Sequence, residues 1–273
     1  MINPKNLKKS ILDYAVRGEL SAKFRTEFTN LSAYDEIAEF NAKISTLKSQ
    51  REKLLSNLEK LLKTKPKNSD KIKHIIAKLK TKIKSYRTIT PLNTAPNFNP
   101  PFEIPNSWAW VKLGEICEIS SGGTPSRSNA SFWVNGTIPW IKISDIKGDY
   151  INSATEFITQ KGLENSSAKI FRKGTLLYTI FATLGEVGIL NFEATTNQAI
   201  AGISLNLDVA DRKFMLYNLR NLKEYVFSIG RGMAQMNINQ NILKEILIPL
   251  PPKNEQEFIA SELEKLLSLC KNL

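Results

Sequence analysis

The chain has 273 residues, of which 42% are hydrophobic and 23% charged, a composition typical of a folded globular protein. It contains no apolar run of roughly 20 residues and no signal-peptide core, so we predict a cytoplasmic protein without a membrane segment. The net charge of +12 lies in the first third: residues 1–98 hold 21 Lys and Arg against 9 Asp and Glu, whereas residues 99–273 hold 17 of each. This surplus favours a polyanionic partner such as nucleic acid, although a lysine-rich solvated helix face explains it equally well.

The first part of the chain follows helical periodicity. A short helix is predicted over residues 7–18, with Gly18 as its C-terminal cap. A second helix is predicted from Ile37 to Leu62, with a length of roughly 39 Å. Its apolar residues recur at steps of three and four, interrupted only at Arg51, which is the pattern of a coiled-coil seam. The seam positions are Ile37, Phe40, Ile44, Leu47, Leu54, Leu58 and Leu61.

A turn and a second helical arm follow. The segment TKPKNSD, residues 64–70, supplies a proline stop and a Ser/Asp start, after which an apolar four-three pattern runs from Ile72 to Tyr86. We predict an antiparallel basic hairpin over residues 33–87, within an N-terminal helical region of residues 1–87. Residues 88–107 are rich in Pro and Asn and nearly uncharged, which predicts an extended linker.

Beyond the linker, the sequence changes to short runs of residues that favour β-strands, separated by turns. The runs are WAWVKLGEICEI, TIPWIKISDI, GTLLYTIF, VGILNF, AIAGISLNL and EILIPL. One helix, from about Asp211 to Phe227, interrupts them. We therefore predict a mixed domain over residues 108–250 and an α+β fold, in which this domain is flanked by long antiparallel coiled-coil helices.

The C-terminal segment, residues 251–273, predicts a further helix. Two prolines precede it, Asn254 is placed to cap its first turn, and Glu257 completes a capping box. Its apolar residues Ile259, Leu263, Leu266 and Cys270 form a seam. Because the helix is short, we expect another chain segment or a second subunit to cover this seam.

The search for catalytic residues is negative. The single histidine, His74, lies among lysines and is expected on the surface. No phosphate-binding GxxxxGK[ST] loop or adenosylmethionine motif is present, and the pair Asp145 and Asp149 is only a weak nuclease-like cluster that also suits a turn. Cys117 and Cys270 lie in no metal or redox spacing, so we expect buried, reduced thiols. The sequence thus favours a binding protein with no catalytic or metal site.

Four segments carry polar side chains that could contact DNA. Small residues around one arginine can approach a phosphate or a base edge, lysines beside an alternating strand can reach a groove, and Asn and Gln can read adenine. Turn formation and internal hydrogen bonding are equally good explanations for the Asn and Gln pair. The candidate DNA-binding residues are Ser121, Gly123, Thr124, Arg127, Lys142, Ser144, Lys147, Asn197, Gln198, Arg231, Gln235 and Asn237.

Four ordered blocks resemble the DNA-specificity subunit of type I restriction-modification enzymes. They are WAWVKLGEICEISSGGTPSRS, IPWIKISDI, GTLLYTIFATLGEVGIL with TTNQAI, and GMAQMNINQNILKEILIPLPPKNEQEFI. The N-terminal LKKSILDYAVRGEL, residues 7–20, also resembles the family, and the main resemblance covers residues 102–268. The basic hairpin has no familiar counterpart.

The resemblance implies a half-subunit. Known subunits of this kind carry two target-recognition domains separated by two helical spacers, whereas this chain has one domain between two spacer ends. It implies a homodimer that pairs head to tail through the helices and reads a bipartite, inverted-repeat site in double-stranded DNA. It also implies methyltransferase subunits that bring adenosylmethionine, and a translocase and nuclease subunit that uses ATP and Mg²⁺, with no cofactor bound by this chain.

Two alternatives remain open on the sequence alone. One is a metal-dependent nuclease centred on Asp145 and Asp149, and the other is an RNA-binding scaffold that uses the basic hairpin. Residues 99–273, which include the recognition domain, have no net charge, although DNA affinity depends on neutralising phosphates. We expect the hairpin lysines and the methyltransferase partners to supply those contacts.

Overall fold

The computed structural model describes residues 3–64, 66–223 and 238–270. It combines helices with short strands, which confirms the α+β prediction. The helices are α1 (Pro4–Val16), α2 (Ala22–Glu27), α3 (Ala33–Lys63), α4 (Ser69–Ser85), α5 (Leu113–Ile116), α6 (Gln160–Glu164), α7 (Arg212–Asn221), α8 (Gln240–Glu245) and α9 (Lys253–Leu269). In the described part of the chain, no helix is long and apolar enough to cross a membrane.

The strands form three sheets. They are β1 (Ala109–Lys112), β2 (Cys117–Ser121), β3 (Ile138–Ile141), β4 (Tyr150–Ile151), β5 (Glu156–Ile158), β6 (Leu176–Thr179), β7 (Val187–Leu190), β8 (Thr195–Thr196), β9 (Ile200–Leu205) and β10 (Leu247–Leu250). The first and last strands pair antiparallel, the central sheet has the order β2-β9-β6-β7-β4, and a small sheet has the order β5-β3-β8. The β1–β10 pair therefore fastens the two ends of the mixed domain together.

Strand β6 divides the interior of the mixed domain into two cores. Leu176 and Tyr178 belong to the main core, which also takes in residues of α1, α3, α7 and α9. Leu177, which points the opposite way, belongs to a second core shared with Ile141 of the small sheet. Both faces of β6 are covered, which explains why its sequence is a continuous apolar run. The small sheet is thereby held on the outer side of the central sheet.

The N-terminal helices follow the prediction closely. Helix α1 is followed by Gly18 in the left-handed conformation, with φ of 82°, and the Gly18 amide donates to the Ala15 carbonyl at 3.0 Å. Helices α3 and α4 pack against each other as the predicted hairpin. The linker after them contains only a 3₁₀ turn, Leu92–Thr94. The linker is extended and is also held against α3. The Asn41 side-chain amide donates to the carbonyl of the buried Ile89 at 2.8 Å, and its oxygen accepts from the Ile89 amide at 2.9 Å.

The seam of the hairpin differs from its predicted register. Leu54 and Leu61 are each 47% exposed, whereas Leu55 and Leu62 are half-buried. Arg51 does not interrupt the buried face, because its guanidinium lies 5.2 Å from the Tyr86 ring centroid on α4. A straight helix has 3.6 residues per turn, so a 3.5-residue repeat drifts round it, and the contact face moves by one position toward the tip.

One local prediction in the mixed domain needs correction. The run of residues 108–119 is not one strand, because the short helix α5 divides it into β1 and β2. Leu113 and Ile116 are fully buried on this helix, and the Glu115 side chain accepts from the Lys112 amide at 3.3 Å. The helix predicted from about Asp211 begins at that position, and the Asp211 carboxylate caps it by accepting from the Phe214 amide at 2.8 Å. The predicted end of this helix, near Phe227, lies outside the described residues.

The start of α9 is correctly predicted, but its cap is not. Asn254 is exposed and makes no capping bond, so the predicted capping box with Glu257 is wrong. The cap comes instead from α3, where the Glu36 carboxylate accepts from the Lys253 amide at 2.8 Å. Burial is the main cause of a raised Glu36 pKa, which the hydrogen bond from Lys253 partly opposes. The hairpin and the C-terminal helix are therefore joined at their bases.

Two buried polar residues of α9 tie it to distant parts of the chain. Glu255, which is 1% exposed, accepts from the Ser21 hydroxyl and from Arg25 Nη1, each at 2.7 Å. Gln256 donates to the Val209 and Pro251 carbonyls at 2.9 Å each and accepts from the Asp211 amide at 2.7 Å. These bonds fix the N-terminal helices and the start of α7 on the C-terminal helix.

The seam of α9 is largely covered within the chain. Ile259 and Leu263 are 0% and 1% exposed, and α9 packs against α1 and α7. Of the two expected ways to cover the seam, the chain itself supplies the first, through α1 and α7. Cys270 is buried, Cys117 is half-buried rather than buried, and both are free thiols.

Candidate nucleic-acid interface

Three of the predicted DNA-binding segments meet at the edge of the small sheet. Strands β3 and β8 run parallel, with Ile141 opposite Thr196, so their carboxyl ends lie together and the residues that follow, Lys142 and Asn197, emerge side by side. The loop after β2 is attached at the same place, because the Gly123 amide donates to the Thr196 carbonyl at 2.9 Å. Segments that are about 20 to 70 residues apart in sequence thus form one surface.

Arg127 is held in place by two tryptophans and a carboxylate. Its guanidinium carbon lies 3.6 Å from the Trp133 ring centroid and 4.7 Å from that of Trp140. The two rings meet edge to face at 5.1 Å. Arg127 Nη1 lies 2.6 Å from Glu156 Oε2, although the arginine side chain remains 53% exposed. The guanidinium is therefore fixed in direction while one side faces solvent.

Glu156 also holds the second cation of this cluster. Its other carboxylate oxygen lies 2.8 Å from Lys142 Nζ. The hydrogen bond from Lys142, followed by that from Arg127, lowers the pKa of Glu156 and outweighs the opposing effect of partial burial. Two positive charges thus share one negative charge. We call Arg127, Trp133, Trp140, Lys142 and Glu156 the arginine cluster.

Gly123 has a packing role in this arrangement. It is buried. Its amide donates to the Thr196 carbonyl, and its own carbonyl accepts from the Trp140 indole at 3.0 Å. A Cβ at this position would lie 2.3 Å from Ser167 Oγ and 2.4 Å from the Ala168 amide nitrogen. Its amide cannot donate to a phosphate while the loop keeps this conformation, which corrects the way in which we expected Gly123 to contact DNA.

The neighbouring polar side chains are partly engaged. The Thr124 hydroxyl donates to the Gln198 side-chain oxygen, and Gln198 is exposed. Asn197 Oδ1 accepts from the Ala199 amide at 3.0 Å, so Asn197 acts as the internal bracket that was one of its two predicted roles. Ser121 lies deeper, with its hydroxyl 2.8 Å from the Gln240 side-chain amide.

The remaining candidates fall into two groups. Ser144 and Lys147 are exposed on the turn after β3, next to Lys142. Their position leaves them available to a ligand on the same surface. The candidates Arg231, Gln235 and Asn237 lie outside the described residues.

Neither Asp145 nor Asp149 is placed for metal chemistry. Asp145 accepts from the Lys142 amide and the Thr155 hydroxyl, each at 2.9 Å. Asp149 pairs with Arg220 and accepts from the Tyr217 hydroxyl at 3.3 Å. Within the described ranges, no group of three or more His, Cys, Asp or Glu side chains could hold a metal ion. Asp145 thus stabilises the turn, which was the alternative interpretation of this pair, whereas Asp149 joins the turn to α7.

Sequence reasoning missed three members of the arginine cluster: Trp133, Trp140 and Glu156. Two tryptophans within eight positions, close to an arginine in a polar loop, were an available signal, because Arg is a frequent partner of an indole face. The contribution of Glu156 could not be inferred from spacing. It reaches Arg127 only because β5 pairs with β3 and places Glu156 opposite Trp140.

A separate cleft of about 720 Å³ lies between α1, the linker and β1. Arg17, Phe102 and Trp110 line it, with the Arg17 guanidinium 4.5 Å from the Phe102 ring centroid. None of the predicted DNA-binding residues that the structure describes lies in this cleft. It is therefore a concave surface separate from the arginine cluster.

Comparison with known proteins places the chain in a family. The type I restriction modification DNA specificity domain matches residues 105–273. The MjaIX specificity subunit of Methanocaldococcus jannaschii is 34% identical over 175 residues, which cover 62% of this chain and 40% of that protein. The EcoprrI specificity subunit of Escherichia coli is 28% identical over 161 residues, which cover 57% of this chain and 40% of that protein.

One solved structure shares the fold. A chain from a study of complex assembly and conformational transition in the type I R-M system aligns with a TM-score of 0.51 at 20% identity, covering 88% of this chain and 51% of that one. The chain spans about two-fifths of the length of the two specificity subunits named above. On the match over residues 105–273, the chain belongs to the family of type I restriction-modification DNA specificity domains.

Proposed function

We propose that the chain is the DNA sequence-recognition subunit of a type I-like restriction-modification complex, and that it selects the target without performing chemistry. The family match over residues 105–273 carries this proposal, because it includes the whole mixed domain and the helix after it. The arginine cluster and the exposed Gln198 supply groups suited to base edges on one surface of that domain.

The proposal includes partners for the chemistry. Methyltransferase subunits would bring adenosylmethionine, and a translocase and nuclease subunit would use ATP and Mg²⁺, all in the cytoplasm where the DNA lies. A stand-alone nuclease gains no support, because Asp145 and Asp149 are each engaged by neighbouring residues. No particular contact in the described residues favours an RNA scaffold over a DNA reader.

We further propose that two copies pair head to tail through the helices to read a bipartite, inverted-repeat site. In support, Tyr14 on α1 and Leu269 at the end of α9 are 52% and 64% exposed. These two helices pack side by side, so both apolar residues belong to one helical group. Sedimentation of the chain with its methyltransferase is expected to give two copies per complex, and a single copy would contradict the pairing.

The decisive test of the main proposal is methylation mapping. DNA from cells that carry the chain and its methyltransferase partner would be sequenced for modified adenines, with the partner alone as the control. We expect one sequence motif, made of two half-sites related by inversion, that disappears without the chain. Methylation that ignores sequence, or that persists unchanged without the chain, would overturn the proposed function.

A further inference from the structure

We infer that Arg127 reads a guanine in the major groove, and that Glu156 and Trp133 are positioning residues that present its guanidinium. The inference rests on the proposed function and names a base that the recognition surface takes. Its starting point is the geometry of the arginine cluster, in which the guanidinium is fixed by stacking at 3.6 Å and by an ion pair at 2.6 Å.

The guanidinium keeps unused hydrogen-bond donors. An arginine side chain has five N–H donors in a planar fork. Glu156 takes up Nη1, and within the described residues Arg127 makes no further hydrogen bond. With 53% of the side chain exposed, a free edge remains open to solvent. Guanine presents O6 and N7 as two acceptors whose separation fits such an edge, which is the commonest specific contact between proteins and DNA bases.

Fixing the side chain favours selectivity. A free arginine loses rotamer entropy when it is ordered, but this one is already ordered by Trp133, Trp140 and Glu156. A preorganised fork cannot turn to suit another base, so a mismatched base leaves its donors unsatisfied. The same contacts that hold Arg127 in the free protein therefore increase the penalty for a wrong base.

Charge distinguishes a base edge from a phosphate as the target. An arginine can also bind a phosphate with two hydrogen bonds. Here, however, Glu156 neutralises part of the positive charge of Arg127 and Lys142 and lies 2.6 Å from the guanidinium, so the attraction for a phosphate at the free edge is weakened. A neutral guanine edge does not depend on this attraction. The exposed Lys147, with no ion pair within the described residues, is better suited to the DNA backbone.

The test is a comparison of base preferences. The full chain, co-purified with its methyltransferase, would be given duplexes randomised across the target, and the enrichment of each base at each position would be measured. For Arg127→Lys, we expect the preference for guanine at one position of each half-site to fall about 5- to 100-fold, because lysine lacks the rigid planar fork that stacks on the indole and presents two donors in fixed directions. Preferences at other positions should stay the same.

Two further variants separate positioning from charge. Glu156→Gln should weaken the same guanine preference by a smaller factor, because Arg127 keeps its stacking but loses its ion pair. Arg172→Lys, an equivalent change at an exposed arginine of the same domain, should alter no preference. Melting curves of all variants serve as the folding check, since Arg127→Lys keeps a cation beside Glu156.

The outcomes distinguish the inference from the proposed function. If Arg127→Lys lowers binding to every duplex by the same factor, or leaves the guanine preference intact, the guanine contact is wrong although the chain still reads DNA. A wild-type target without a G·C pair at a position that Arg127 affects would overturn it as well. If the wild-type complex shows no preference among duplexes, the proposed function itself fails.

Discussion

The basic hairpin and the mixed domain use their positive charges differently. Residues 33–87 hold 15 Lys and Arg against 6 Asp and Glu, whereas residues 108–250 hold 14 against 12. In the mixed domain, many of these cations are ion-paired, including Lys112, Arg127, Lys142, Lys213, Arg220 and Lys223. Most hairpin lysines lie exposed on solvated helix faces.

This difference suggests a division of labour on a DNA partner. Unpaired lysines attract phosphates of any sequence, so they contribute affinity and salt dependence but no selectivity. Cations that are already paired lose much of that attraction and instead present hydrogen-bond donors in fixed directions. We therefore expect the hairpin to govern how tightly the chain binds, and the mixed domain to govern where it binds.

The largest expected effect comes from breaking the contact between α9 and the α2 segment, which helps to hold the helices on the mixed domain. Glu255→Ala leaves Arg25 and Ser21 without their partner in a largely buried site, so the free energy of unfolding should fall by about 3 kcal/mol. Chemical denaturation would measure this. The control is Asp13→Ala, which breaks an ion pair with Arg17 whose side chains are 46% and 43% exposed, and which should cost less than about 1 kcal/mol. Equal losses of unfolding free energy in the two variants would contradict a special role for the contact of Glu255 with Ser21 and Arg25.

Removing hairpin charge should have the next largest effect. Changing Lys53, Lys60, Lys71 and Lys78 to Gln should weaken binding to all duplexes by the same factor, roughly tenfold at 0.1 M salt, and should lower the salt slope by up to about 0.9 for each phosphate that is no longer neutralised. A titration of affinity against salt concentration tests this. The matched control changes four ion-paired lysines, Lys112, Lys213, Lys223 and Lys265, to Gln. The same slope in both variants would show that net charge matters rather than its location.

The smallest effect concerns the arginine cluster and pH. Because the pKa of Glu156 is lowered from 4.5 in the folded chain, its carboxylate stabilises the fold above that pH, and this contribution is lost as the pH falls through the lowered pKa. Glu156→Gln should therefore reduce the free energy of unfolding slightly near pH 7, by less than about 1 kcal/mol given the partial exposure. In denaturation curves measured across pH, the difference from wild type should vanish at acid pH. A difference that grows on acidification would contradict the assignment.

Local features of the fold were accessible from the sequence, and non-local contacts were not. The hairpin, the cap at Gly18 and the start of α9 follow from periodicity and from glycine and proline chemistry. The actual cap of α9 comes from Glu36, which is 217 residues away, so no pattern near Asn254 could reveal it. The very short strand β8 was likewise missed, because two residues carry no usable periodicity.

The candidate site shows the same limit. Residue type and loop context indicate Arg127, Lys142, Asn197 and Gln198 separately. That they share one surface depends on the parallel pairing of β3 with β8, and the paired state of the two cations depends on Glu156 from β5. Residue type indicates which side chains could contact a base, but only the sheet decides which of them are held still.

The bond between Glu36 and the Lys253 amide has a mechanical consequence. Helix α3 has 31 residues and a length of roughly 46 Å, and this bond lies near its base. From Glu36 the helix continues for roughly 40 Å, so a tilt of about 5° there would displace the far end by roughly 3.5 Å, which matches the rise of about 3.4 Å between successive nucleotides of one DNA strand. This hydrogen bond, together with the two bonds between Asn41 and Ile89, therefore helps to set the position of the far end of α3 to within about one nucleotide step.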